Sequence, residues 1–407
     1  MKRMLITLTA ILLFFACKKQ VADVRSQTNT PHSADTLTTT VVINASMLQQ
    51  TIDGFGGANI IDWTGDLTAA QRDTAFSPTY GIGLSIVRVR VPVDSSKFSQ
   101  AKPTIDACKS YGGIAIASVW SSPVSMKTND STIGGTIKTT SYARFAAYLK
   151  AFNTAVGGLA AISPTNEPNI KVSYESMEMT ASQVADFIAT EGDSCGAPIM
   201  APEPFNMDET YINTYLSNAA AKSKTAFIAG HIYGAIPYML SVDKPVWMTE
   251  HYINSNISGD DWPNAMNVAK EINDCMSAGW SAYVWWYIRR SYGPISESGN
   301  IQKLGYVMAQ YARYVRPGSI KISCTDNPST GIYVTAYKSG SKIVVVVINQ
   351  NLSDIYLPFN LNGASVSGFA KFTTTSSSNL VDGNVSISGN VFKTTLPAAS
   401  ITTMVSN

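Results

Sequence analysis

Charge is scarce in this 407-residue chain: Asp, Glu, Lys and Arg make up only 14% of it, 30 basic against 28 acidic side chains. Soluble proteins average about 25%. With a net charge of +2 and no Lys/Arg cluster, the chain has no electrostatic footprint for nucleic acid, and no such partner is expected. Histidine is scarcer still. Of three, only His231 and His251 lie beyond the polar N-terminal stretch, at a spacing that fits no simple metal site. The five cysteines include no C-x-x-C pair, which argues against a zinc pattern, and a chain of this size needs no disulfide framework. No metal and no cofactor are therefore expected. No G-x-G-x-x-G follows the first strand-like segment, which argues against a dinucleotide-binding doubly wound sheet. What the chain does have is 45% hydrophobic residues, enough for a large core in one barrel-sized domain and a smaller one.

Lys2 and Arg3 precede an apolar run from Met4 to Ala16 that is too short to span a bilayer and reads as an export signal. Its end, Leu13-Phe14-Phe15-Ala16-Cys17, resembles a bacterial lipoprotein signal. The expectation is a lipoprotein-type signal peptide over 1–17 and an exported chain held at the outer membrane or cell surface by acylated Cys17. The alternative is a plain secretory signal cleaved elsewhere. Residues 18–40 are rich in Thr, Ser, Asn and Gln and read as a flexible tether. Membrane contact is expected only through that anchor, and the protein is expected to be a monomer.

From residue 50 to about 290, short apolar runs alternate with helix-length segments. The strand-like runs begin around Asp53–Gly57 and continue through Ser85–Val91, Gly113–Ser118, Leu159–Pro164, Pro198–Ala201, Ala226–Gly230, Pro245–Thr249 and Ser281–Trp286. Eight β/α units of this length predict a TIM (β/α)8 barrel over 50–317, an α/β fold. From 318 to 407 strands and turns follow without helices, which predicts a side β-sandwich. The lone strand at 41–49 is expected to join that sandwich, so the two domains should pack together.

Barrel active sites lie at the C-terminal ends of the strands. Two glutamates stand there: Glu167 in Pro164-Thr165-Asn166-Glu167-Pro168 after the fourth strand, and Glu250 in Thr249-Glu250-His251-Tyr252 after the seventh. Two carboxyl groups across a barrel mouth suit cleavage of a glycosidic bond. One protonates the leaving oxygen; the other attacks or supports the oxocarbenium-like carbon.

Asn166-Glu167-Pro168 together with Glu250 resembles the retaining glycosidases built on TIM barrels, and longer stretches narrow the likeness. Residues 50–57, 65–72, 316–318 and above all Tyr283-Val284-Trp285-Trp286-Tyr287-Ile288-Arg289-Arg290-Ser291-Tyr292-Gly293-Pro294 resemble the bacterial glucuronoxylanases of glycoside hydrolase family 30, of the subfamily 8 type. The resemblance implies a TIM barrel with a side β-sandwich and a retaining endo-β-1,4-xylanase guided by the 4-O-methylglucuronic acid branch of glucuronoxylan. It implies Glu167 as general acid/base and Glu250 as nucleophile. Asn166 would bond the sugar 2-hydroxyl, Arg88 would face the nucleophile, Tyr233 would hydrogen-bond it, and Trp120 would offer a flat face to a xylose ring. Arg290 would pair with the branch carboxylate, with Tyr292, Ser291, Trp286, Tyr252 and Ser255 around it. The alternatives are structural: an ion pair for Arg88, a packed tyrosine at 233, a core tryptophan at 120, and a solvated Arg289–Arg290 pair.

Two loops depart from the family pattern: Asn169 to Ser176 after the Asn-Glu-Pro triplet, and Arg90-Val91-Pro92-Val93-Asp94 after the second strand. Both border the cleft and bear on subsite affinity and on how strictly the branch is required. The rival readings are a family 30 xylanase without branch dependence, another specificity such as a glucosidase or β-1,6-galactanase, and a non-hydrolysing surface glycan-binding lipoprotein. The C-terminal module as an independent carbohydrate-binding domain is a further alternative.

Overall fold

The computed structural model describes residues 35–407 apart from Thr38, so the signal-like segment, Cys17 and most of 18–40 lie outside the described residues. The apolar runs form eight parallel strands: β1 (Gly54–Ala58), β2 (Ile86–Arg90), β3 (Ile114–Ser118), β4 (Ala161–Ser163), β5 (Ile199–Pro202), β6 (Thr225–His231), β7 (Val246–Glu250) and β8 (Ala282–Tyr287). Each pairs with its neighbour in sequence, and β8 closes the barrel on β1 with Tyr283 opposite Phe55. The expected barrel is present.

Strand alternation sorts the side chains. In β2, Val87 and Val89 join the core shared with the helices, while Ile86 faces inward among Met200, Trp247 and Val284. Arg88 follows Ile86 on the inward face, one layer nearer the mouth. The opposite end is sealed by Trp247, stacked on Phe227 with centroids 3.8 Å apart, its Nε1 donating to Asp53 at 2.7 Å. The barrel is thus apolar below and ionic above.

The returning helices start where their sequences supply caps. Thr68 with Gln71 and Thr180 with Gln183 form reciprocal capping boxes for Ala69–Phe76 and Ala181–Glu191. Asp261 caps Trp262–Ser277, which carries proline in its first turn. The eight-unit expectation needs one correction: the connection from β6 to β7 carries no helix. Gly234, Pro237 and Pro245 interrupt a segment already short for one.

The C-terminal strands form one sheet that curls until it closes. Its order runs from Val41–Thr51 through Ile320–Cys324, Ile332–Ser339, Lys342–Asn349, Ser400–Ser406, Gly368–Thr374, Val381–Ser388 and Val391–Leu396 to Ile355–Asn362, which pairs back onto Val41–Thr51. Val345, Val347, Phe359 and Phe392 fill its interior. On the same strand Val344, Val346 and Ile348 face the other way and belong to the barrel's core. Helix Lys303–Ala312 seals the joint, with Gln310 donating to Thr374 at 2.9 Å and accepting from Thr403 at 2.7 Å. Part of the stretch read as a tether takes part in the sheet, because Asp35–Thr36 add to Ile355–Tyr356 as a short parallel strand.

Candidate active site

Arg88 is the hub of the barrel mouth. Fully buried, it directs Nε to Ser118 Oγ (3.1 Å), Nη1 to Glu250 Oε2 (2.5 Å), and Nη2 to Asn166 Oδ1 (2.6 Å) and Glu203 Oε1 (3.1 Å). Glu250 is the last residue of β7, and its other oxygen accepts the Tyr233 hydroxyl at 2.5 Å. Both oxygens of that carboxylate are therefore held. Glu167 follows β4 with a left-handed backbone, φ 47°, and Glu203 follows β5 in the same region, φ 56°. The Glu167 N–H donates to the Glu203 carbonyl at 3.0 Å. Non-glycine residues held there store on the order of 1–3 kcal/mol each, a strain that concentrates at functional sites.

His231 ends β6 and is fully buried, with Nδ1 2.8 Å from Glu167 Oε1 and Nε2 3.3 Å from Glu203 Oε1. One oxygen of Glu167, one of Glu250 and a ring nitrogen of His231 all lie within 4.8 Å of one another. Such a trio could hold a cation. Here Arg88 and Tyr233 already occupy the Glu250 oxygens and His231 faces carboxylates, so ion pairing within the chain accounts for the cluster.

These surroundings move the proton affinities apart. Burial pushes the Glu167 carboxyl up, and the nearby Glu250 charge adds to the rise. Burial would raise Glu203 too, but Arg88 and His231 overcome it and hold this carboxylate well below the usual range. Burial opposes charge on His231, yet Glu250, Glu167 and Glu203 together raise it to about 9. Burial and the Glu250 charge keep the Tyr233 hydroxyl protonated.

A cleft of about 630 Å3 opens above the pair, walled by Trp63, Trp120, Tyr174, Phe205, Tyr252 and Trp286. Trp120 is 3% exposed and lies under the Arg88 guanidinium at 4.7 Å, so it supports the ionic cluster as well as bordering the cleft. Trp63 meets it edge-on at 5.5 Å, and Trp286 lies tilted at 5.7 Å. Phe205 stacks on Tyr233 at 5.4 Å. From Tyr233 a row of aromatic contacts leads through Tyr252 (5.7 Å) to Tyr292 (5.3 Å from Tyr252). Arg290 stands at its end, close enough to Tyr292 for its charge to act on that hydroxyl, over the Tyr287 face at 5.0 Å, and paired with Glu297 at 3.1 Å. Ser255 and Ser291 are exposed, and no hydrogen bond among the described residues joins either to Arg290.

The two departing loops prove to be tied together. Arg90, 4% exposed in its side chain, is ion-paired both to Glu175 of the loop after β4 and to Asp62 of the short helix Ile61–Thr64 after β1, with Trp63 at 5.0 Å. Sequence reasoning missed Glu203 and His231 as parts of the cluster, and Trp63, Tyr174 and Phe205 as walls. For Glu203 the signal was present: in Ala201-Pro202-Glu203-Pro204 it is a strand-end glutamate like the other two, and it sits beside proline as Glu167 does.

No protein-family model matches the chain. Glucuronoxylanase XynC of Bacillus subtilis strain 168 is 38% identical over 388 residues, covering 90% of this chain and 92% of that protein. The glycoside hydrolase family 30 subfamily 8 xylanase Xyn30A of Clostridium acetobutylicum superposes with a TM-score of 0.84 at 31% identity, covering 90% of this chain and 99% of its own. A GH30 endoxylanase from Clostridium papyrosolvens C71 gives 0.83 at 30% identity, covering 90% of this chain and all of the other. With the paired glutamates, the closed barrel and the attached sandwich already in view, these likenesses over nine-tenths of its length mean that the chain belongs to glycoside hydrolase family 30.

Proposed function

We propose that this enzyme is a retaining endo-β-1,4-xylanase that cuts glucuronoxylan at positions set by the glucuronic acid branch. The observation that carries the reading is the approach of the Glu167 and Glu250 carboxylates within 4.8 Å at the floor of an aromatic cleft. Inverting enzymes hold their carboxyl groups about 6.5–9.5 Å apart to admit a water, whereas retaining enzymes bring them to about 5–5.5 Å for direct attack.

Glu250, ionised beside Arg88 and steadied by Tyr233, attacks the anomeric carbon. Glu167, kept protonated by burial, gives its proton to the leaving oxygen. Glu167 then takes a proton from water as that water opens the glycosyl ester on Glu250, which restores both carboxyls. Asn166 spends its carbonyl oxygen on Arg88, which leaves its amide N–H to the sugar 2-hydroxyl. The aromatic walls take the xylose rings. Arg290, partly exposed and backed by Tyr287 and Tyr292, offers a planar fork to the branch carboxylate.

Product analysis on glucuronoxylan and, in parallel, on arabinoxylan free of glucuronic acid tests the reading. Acidic oligosaccharides with one branch each and little release from arabinoxylan are expected. Equal release from both substrates would retain the catalytic pair and refute branch guidance; no release from either would refute the xylanase itself. We further propose that the enzyme acts as a monomer, and that it is exported and held by a lipid at Cys17, the export and anchor supported by the signal-like order of residues 2–17. Cys17→Ser, followed by fractionation, should release the enzyme from membranes, and an unchanged membrane fraction would overturn the anchor.

A further inference from the structure

The catalytic scheme uses Glu167, Glu250 and Arg88 but leaves a third buried carboxylate, Glu203, without a task. We propose that Glu203 is a positioning residue that holds His231 as an imidazolium, and that this cation serves as counter-ion to Glu250 in the resting enzyme and to Glu167 in the glycosyl-enzyme. The proposal rests on the retaining assignment and adds a proton inventory to it.

The argument is one of donors and acceptors. Both nitrogens of His231 face carboxylate oxygens, Nδ1 that of Glu167 at 2.8 Å and Nε2 that of Glu203 at 3.3 Å. A neutral ring would aim a lone pair either at Glu203, with no proton between them, or at Glu167, where it would draw the catalytic proton inward onto Oε1 and away from the leaving oxygen. Arg88 Nη2, 3.4 Å from Nε2, supplies no rescue, since its two hydrogens are directed to Asn166 Oδ1 and Glu203 Oε1. Glu203 cannot be the proton carrier on that oxygen, because Oε1 also accepts from Ser118 Oγ at 2.9 Å. The other charged or titratable groups facing the ring are Glu250, with Oε2 3.9 Å from Nδ1, and Tyr233, whose ring centroid is 6.4 Å away.

Charges then balance at every stage. With Arg88 and His231 positive, Glu203 and Glu250 negative and Glu167 protonated, the buried cluster is neutral. Glycosylation esterifies Glu250 and ionises Glu167, so the cluster is neutral again. One negative charge has moved between two carboxylates that both neighbour Nδ1. A neutral His231 would leave a net negative charge buried throughout, which is costly without a partner. The donor at Nδ1 also selects the oxygen that delivers the proton. Glu167 Oε1 accepts from His231 at both stages, so the transferable proton rides on Oε2.

The test is histidine-selective 15N labelling of the full chain, with His251→Gln to assign the signals. In the unmodified cluster His231 should show two protonated ring nitrogens from about pH 5 to pH 7, whereas Glu203→Gln should give a neutral ring over the same range. Loss of the nearby cation outweighs loss of the more distant Glu203 charge at Glu167. The alkaline limb of kcat/KM on glucuronoxylan should therefore move upward in Glu203→Gln, by roughly one to three pH units. A neutral His231 in the unmodified enzyme, or an imidazolium that survives Glu203→Gln, overturns the proposal. The spectrum of the unmodified enzyme decides even where the variant fails to fold. Because the nitrogen signals need no turnover, absence of xylanase activity would refute the functional reading and with it the role in the glycosyl-enzyme, while the Glu203–His231 ion pair would still be decided by the spectrum.

Discussion

Replacing Arg90 by glutamine should loosen the cleft wall without touching the chemistry. Its guanidinium joins Asp62 and Glu175, carried on connections after different barrel strands, and lies against Trp63. Stranding the partner of a fully buried ion pair costs about 3–5 kcal/mol. Here the acids keep 14% and 18% side-chain exposure and can rehydrate in part, so a loss of about 2 kcal/mol is expected. That corresponds to roughly a 30-fold rise in the local opening equilibrium of the loop over 169–176. Its anchor, the Ser176 N–H on Thr132 O at 2.9 Å, should exchange faster in deuterium by that factor. Ile170, Val172 and Tyr174 of this loop line the cleft, so KM for xylan should rise while kcat stays within about twofold. Adding Asp62→Asn and Glu175→Gln removes the stranded charges and should recover about half of the lost stability. Unchanged exchange over 169–176 together with unchanged KM would refute the reasoning, as would a fall in kcat at constant KM.

Glu250→Gln should lower turnover by roughly 10^4-fold or more, as removal of a nucleophile does elsewhere, and leave xylan retention on affinity electrophoresis intact; appreciable residual turnover would sink the role. Arg290→Ala removes a charge-assisted pair worth about 1.5–3 kcal/mol, so kcat/KM on branched xylan should fall on the order of 10- to 150-fold, with little change on unbranched xylo-oligosaccharides. Equal losses on both substrates would show that Arg290 does not read the branch. The raised Glu167 pKa fixes the sign of two pH effects. Activity should decline as pH rises through the folded-state value, because the acid loses its proton. Folding stability should decline over the same rise, since the unfolded chain gives up that proton more readily. Glu167→Gln should accordingly be more stable than its parent near neutral pH by thermal melting, and a lower midpoint would contradict the assignment.

The barrel was legible because its strands are short apolar runs set apart by capped helices, and Glu167 and Glu250 stood out by position at strand ends. The same rule marks Glu203, but cleavage of a glycosidic bond calls for one carboxyl pair, so a third strand-end glutamate carries no separate signal of its role. His231 gave no such signal, since its meaning depends on what faces each ring nitrogen. The helix-free link from β6 to β7 was marked by Gly234, Pro237 and Pro245, but the count of eight units overrode them. In the sandwich, Ile355–Asn362 alternates buried Ile355, Leu357, Phe359 and Leu361 with half-buried residues, a strand pattern obscured by Pro358. The coupling of the two departing loops through Arg90 could not be read at all, because Asp62 and Glu175 are distant in sequence from it and from each other.

The closed sheet also dictates an order of assembly. Strand Val41–Thr51 is made well before its partners, Ile320–Cys324 and Ile355–Asn362, so it waits through roughly 270 residues of synthesis. Until then its apolar face is open to wrong pairings, the hazard that attends distant strand partners. Val41–Thr51 and the strands that flank it are therefore hostage to each other. A tag, cleavage or anchor that strains residues near Val41 will be felt in the module built from the last ninety, and a copy of that module made without Val41–Thr51 is born with two raw strand edges.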